Sequence, residues 1–92
     1  MGYNFEWDHE KAEANLSRHG VSFAEAVTAF GDPLSMNMPD PDHSEGEQRF
    51  IVLGMSDRYR LLIVSYTERP PGTRIISARL ATRHERKQYE ED

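Results

Sequence analysis

The sequence predicts one α+β domain, an antiparallel sheet with helices packed on one face and a short C-terminal helix. Three observations predict it. The chain has 92 residues, 37% of them hydrophobic, which suffices for a single lean core spanning 1–92. Two segments with helix start and stop signals come first and are broken at Gly31-Asp32-Pro33. Three apolar runs then follow from Gln48, joined by short polar or proline-rich links, the pattern of a β-meander.

Taken in order, Tyr3, Phe5 and Trp7 alternate with Asn4 and Glu6, which predicts a short strand with one aromatic face. Asp8 can accept a hydrogen bond from the first helical turn, and Glu10 sits where the helix dipole favours negative charge, so a helix runs to about His19. Gly20 closes it, because glycine adopts the left-handed helix end without a Cβ penalty. Ser22 and Glu25 have the spacing of a capping box, and Phe23, Ala26, Val27 and Phe30 give the second helix one apolar stripe. Leu34, Met36 and Met38 alternate with Ser35 and Asn37 as an edge strand, ended by Pro39 and Pro41.

Gln48 to Met55 and Arg60 to Thr67 form a hairpin linked by Ser56 to Tyr59. Pro70, Pro71 and Gly72 mark the next turn, and Arg74 to Leu80 returns antiparallel. Strict alternation sets Ile76, Ala78 and Leu80 on one face of that strand and Ile75, Ser77 and Arg79 on the other. Thr82 and Glu85 make a further capping box for the terminal helix. Beyond Tyr89 this helix has little to bury, so it is expected to be mobile or to need a partner.

The net charge of −5 argues against a plain electrostatic nucleic-acid binder, but its distribution says otherwise. Met1 to Glu47 holds two basic residues against ten acidic ones, whereas Arg49 to Lys87 holds nine basic against three acidic. Such asymmetry points to a polyanionic partner. The chain has no cysteine, which suits a reducing cytoplasm. Its start carries no secretory signal pattern, and its longest apolar run, Leu61 to Val64, is far short of the roughly 20 residues that span a bilayer, so no membrane association is expected.

The acidic loop Asp40 to Glu47 lacks the ligand alternation and flanking helices of a calcium loop and reads as a solvated turn; no metal and no cofactor is expected. His9, His19, His43 and His84 are too scattered for a zinc pattern. The richest cluster is arginine-dominated: Arg58, Arg60, Arg69, Arg74, Arg86 and Lys87 as RNA contacts, with Arg79, Glu85, Glu68, Arg83 and His84 as candidate catalytic groups. Guanidinium groups fork onto phosphate oxygens, and Tyr59, Tyr66 and Tyr89 can stack on unpaired bases. Such a set can cleave RNA without a metal. The ribose 2′-hydroxyl attacks the adjacent phosphorus, Glu68, Glu85 or an imidazole takes its proton, and arginine neutralises the developing charge. Arg79 is favoured at the phosphate because a strand holds it rigidly.

Phe5-Glu6-Trp7-Asp8, Lys11, Asn15, Arg18-His19-Gly20-Val21-Ser22-Phe23, Asp32-Pro33, Arg60-Leu61-Leu62, Thr67-Glu68-Arg69, Arg74 to Arg79, Ala81-Thr82, Glu85 and Tyr89-Glu90 form an ordered series over nearly the whole chain. It resembles the BrnT toxins. The resemblance implies a RelE-like fold and a toxin of a type II toxin–antitoxin pair, a metal-independent ribonuclease that halts translation in the cytoplasm. It also implies a BrnA-type ribbon-helix-helix antitoxin that neutralises the toxin, the complex repressing its own operon, with DNA reached only through that complex. Arg79 and Glu85 fall on family-motif positions, as do Lys11 and His19, for which a structural role in the first helix is equally open. The alternative is a catalytically silent module that uses the same surface only to bind an antitoxin in operon regulation.

Overall fold

A computed structural model describes residues 4–43 and 46–91. The chain runs β1 (Phe5–Glu6), α1 (His9–His19), α2 (Phe23–Ala29), β2 (Met36–Pro39), a 3₁₀ turn (Pro41–His43), β3 (Arg49–Met55), β4 (Leu61–Arg69), β5 (Gly72–Leu80) and α3 (Arg83–Glu91). The strands form one sheet in the order β1-β5-β4-β3-β2, with β1 parallel to β5 and every other pair antiparallel. Of the aromatic N-terminal strand expected from Tyr3, Phe5–Glu6 is observed, and Tyr3 lies outside the described residues. No helix among the described residues is long and apolar enough to cross a membrane.

The helix ends follow from local chemistry. Asp8 Oδ2 accepts from the Lys11 N–H at 2.9 Å, and Gly20 closes α1 with φ 70° while its N–H donates to the Leu16 carbonyl. Ser22 Oγ accepts from the Glu25 N–H at 3.0 Å. The second half of that capping box is not made: the Glu25 side chain turns inward instead. Its carboxylate accepts from Arg60 Nε at 3.0 Å, from Arg60 Nη2 at 2.5 Å and from Ser56 Oγ at 2.7 Å. The Arg60 bonds, opposed by burial, hold its pKa below the ordinary glutamate value. This buried pair ties the start of α2 to the β3–β4 turn.

α1 and α2 cover one face of the sheet. Val21, Phe23, Ala26 and Ala29 pack there on Val52, Leu62, Val64, Tyr66, Ile75 and Ala78. Each large aliphatic side chain so buried contributes about 1.5–3 kcal/mol. Gly54 permits the close approach of α2, since a Cβ there would stand 2.6 Å from the Ala29 carbonyl oxygen. At the edge of the sheet, the buried Asn15 takes the place of a neighbouring strand. Its amide donates to the Ala78 carbonyl at 2.8 Å and to the Val21 carbonyl at 2.9 Å, and its carbonyl accepts from the Ala78 N–H at 3.1 Å.

Two expectations are corrected. In β5 a bulge breaks the alternation: Ser77 pairs with Ser65 but Ile75 pairs with Tyr66, so Ile76 is the extra residue. Ile75 therefore joins Ala78 in the helix-covered core, while Ile76 shares the opposite face with Ser77 and Arg79. The terminal helix, expected to be mobile or to need a partner, is anchored on that opposite face by its own chain. Tyr89 packs on the cluster of Leu53, Leu61 and Ile63, and its hydroxyl donates to Asp32 Oδ2 at 2.5 Å. That bond raises the Tyr89 pKa to about 12. Burial alone would raise the Asp32 carboxyl, but Tyr89 and the N–H groups of Met55 and Leu34 outweigh it and hold it low.

Candidate functional site

The half of the open face that α3 leaves uncovered forms a pocket of about 250 Å³. Its floor is Ile51 of β3, Ile63 of β4 and Ile76 of β5, and Ser65 and Ser77 stand as direct cross-strand partners beside them. Arg49 and Arg79 bring positive charge to it, and Asp40 and His43 line it from the segment after β2. The sheet register creates this grouping. Ile51 pairs with Ser65, which pairs with Ser77, while Ile63 pairs with Arg79. Neighbouring strands lie about 4.8 Å apart, so these side chains form one compact grid.

Arg79 is held by a two-point clamp. Its Nη1 donates to Glu85 Oε1 at 2.8 Å and its Nη2 to Glu85 Oε2 at 2.9 Å, while Nη1 also reaches the Leu80 carbonyl at 3.2 Å. Glu85 is fixed in turn by the reciprocal capping box of α3: Thr82 N–H donates to Oε1 at 2.8 Å, and Glu85 N–H to Thr82 Oγ1 at 3.2 Å. Bonding by Arg79, against the cost of burial, lowers the Glu85 pKa to about 2 and raises that of Arg79. Such a carboxylate is a permanent anion and a poor proton acceptor at neutral pH. A guanidinium has five N–H donors. Among the described residues the clamp and the Leu80 carbonyl leave the Nε–H and one Nη2 hydrogen of Arg79 unbonded, a side edge with the geometry to take two phosphate oxygens.

Across the pocket, His43 Nδ1 and Asp40 Oδ2 are 2.9 Å apart, and the His43 side chain is 67% exposed. A carboxylate on one ring nitrogen fixes the tautomer and leaves the other nitrogen to exchange protons. Among the described residues no three histidine or carboxylate side chains converge as metal ligands.

Of the eleven candidates expected from the sequence, Arg79 lines the pocket and Glu85 supports it; the others are dispersed. Arg60 lies on the helix-covered side with Glu25, and Arg58 is exposed on the same β3–β4 turn. Arg69 faces Glu47 at 3.4 Å and Arg74 faces Glu6 at 3.0 Å. Glu68 accepts from Thr73 Oγ1 at 2.9 Å, five residues along β4 from the partner of Arg79, about 17 Å at 3.4 Å per residue. Arg83, His84, Arg86 and Lys87 are exposed on α3, with Arg86 near Glu90 at 3.8 Å. Sequence reasoning missed Asp40 and His43 by treating them as a solvated loop. Their separation by one turn, which lets a carboxylate meet an imidazole, was the available signal. Ser44 and Glu45 of that loop lie outside the described residues.

A family model described as the ribonuclease toxin BrnT of type II toxin–antitoxin systems matches residues 7–85. The crystal structure of the Brucella abortus ribonuclease toxin BrnT has the same fold, with a TM-score of 0.69 at 19% identity, covering 89% of this chain and 100% of that one. No curated protein sequence matches the chain.

Proposed function

Because this chain belongs to the BrnT family of ribonuclease toxins of type II toxin–antitoxin systems, we propose that its open-face pocket cleaves RNA without a metal ion and so halts translation. The observation that carries this reading is the clamped Arg79, with its side edge unbonded among the described residues, in the same pocket as the Asp40–His43 pair. A phosphodiester bound along that edge has its negative charge met by Arg79, with Arg49 adding to the positive field. His43 takes the proton of the 2′-hydroxyl as its oxygen attacks phosphorus. The phosphorus–5′-oxygen bond breaks, and the leaving oxygen takes a proton from solvent, to which the pocket is open. Glu85 acts through Arg79 as a positioning residue, and Asp40 does the same for His43. Glu68, Arg83 and His84 have no part in the chemical step.

The proposal extends to the cell. A BrnA-type ribbon-helix-helix antitoxin neutralises the toxin, the pair represses its own operon, and DNA is reached only through the antitoxin. The site of action is the cytoplasm, where the RNA is. Induced expression without antitoxin should arrest growth with RNA breakdown, and His43→Ala or Arg79→Ala should relieve the arrest. Purified protein that binds antitoxin tightly while leaving RNA intact would favour the silent module instead.

A further inference from the structure

The acidic half of the chain has two basic residues, Lys11 and Arg18. Both lie on one face of α1, seven residues apart, and together with His19 they line a second pocket of about 210 Å³ at the seam between α1 and β5. Among the described residues none of these three side chains meets a carboxylate. Helix spacing explains why. Neighbours on a helix surface stand three or four residues apart. Arg18 has Ala14 and Asn15 at those positions, and for Lys11 the one acid there, Asp8, caps the helix instead. By contrast Arg60, Arg69, Arg74, Arg79 and Arg86 each face a carboxylate. Arg58, Arg83 and Lys87 also make no ion pair among the described residues, but they stand on the β3–β4 turn and on α3 and line neither pocket. Lys11 and Arg18, by contrast, bring unpaired charge to a concave site where the sequence total would least suggest it.

Its far wall is Ile76 and Ser77, which also line the open-face pocket. The β5 bulge sets these two residues where both pockets meet, between the part of the β5 edge that β1 covers, Thr73 and Arg74, and Ala78, whose backbone Asn15 bonds. We infer that Lys11, Arg18 and His19 form a second phosphate-binding subsite, which holds a neighbouring phosphate of a single-stranded RNA passing over the β5 edge from the Arg79 pocket. This rests on the RNA-cutting reading of the open face. A narrow duplex groove would not follow such a path, whereas a flexible single strand bends over an edge and is held by its backbone charge.

The test is binding of a 2′-O-methyl single-stranded oligonucleotide, which has no 2′-hydroxyl and so cannot be cut by the proposed route. Fluorescence anisotropy over a salt series compares the wild-type chain with Lys11→Ala/Arg18→Ala, and with Arg18→Gln alone should the double variant fold poorly. Affinity should fall at least about tenfold, with the slope of log affinity against log salt smaller by about 0.7, the value for one phosphate on a single strand. Cleavage of a dinucleotide, too short to reach α1, should be unchanged, while KM for a longer RNA rises. Unchanged affinity and slope in the variants overturn the subsite, whether or not the wild type cuts RNA. A wild type that binds no single-stranded RNA also overturns it. Weakened binding in the variants together with a wild type that cuts nothing upholds the subsite and overturns the ribonuclease reading instead.

Discussion

Replacing Glu85 by glutamine should weaken the fold at neutral pH and cease to matter in strong acid. The carboxylate accepts two bonds from Arg79 and one from the Thr82 N–H, and these hold its pKa at about 2 instead of 4.5, with the Arg79 bond the largest cause and burial opposing it. A fall of that size corresponds to about 3 kcal/mol at ~1.4 kcal/mol per tenfold change. The Arg79 side chain is 40% exposed, and solvent screens the pair, so the expected loss at neutral pH is about 1–2 kcal/mol. The folded-state pKa is depressed, so this stabilisation is complete above 4.5 and disappears as the pH falls through about 2. Glutamine still offers an oxygen to the Thr82 N–H, which keeps the cap and isolates the charge. Urea unfolding of the wild type and Glu85→Gln at about pH 7, pH 4 and pH 2 measures the gap. A gap that is equal at every pH, or absent at neutral pH, refutes the ionic clamp.

Other perturbations have equally definite outcomes. Asn15→Leu strands the Ala78 N–H and the Ala78 and Val21 carbonyls in the core at about 1–3 kcal/mol each, so urea unfolding should show a loss of at least about 3 kcal/mol. Gly54→Ala pushes a methyl group against the Ala29 carbonyl oxygen at 2.6 Å and should cost about 1–3 kcal/mol, read as a lower melting temperature. On the proposed mechanism His43→Ala should slow RNA cleavage by about 10²–10⁴-fold, with stability unchanged because the ring is mostly exposed. Asp40→Asn should slow it less, because the ring stays in place with a weaker orienting partner.

What the sequence made legible was what neighbours along the chain decide. Asp8, Gly20, Ser22 and the Thr82–Glu85 box mark helix ends because a cap acts within one turn, and the apolar runs of β3, β4 and β5 announce themselves through their own composition. What it concealed depends on register and on distant partners. No local signal shows that Ile76 is bulged, because the bulge exists only against Ser65 and Tyr66 of β4. The anchoring of α3 needs Asp32, far away in sequence but adjacent in space. The cluster of arginines looked like one electropositive surface because their neutralising partners Glu6, Glu25 and Glu47 lie in the acidic half. The same blindness hid the reverse case, in which Lys11 and Arg18 stand in that acidic half with no carboxylate beside them among the described residues.

On the proposed mechanism Arg79, held by Glu85 in the open-face pocket, meets the phosphate, and no metal ion is required. The most direct test is cleavage of a single-stranded RNA by the purified chain in excess EDTA, alongside Arg79→Ala/Glu85→Gln, which leaves no unpaired carboxylate, and Arg83→Ala, which alters only an exposed side chain of α3. The wild type and Arg83→Ala should cut at the same rate with the chelator present, and the double variant at least about 100-fold more slowly. Loss of wild-type cleavage in EDTA with recovery on adding a divalent metal, or undiminished cleavage by the double variant, would contradict the mechanism.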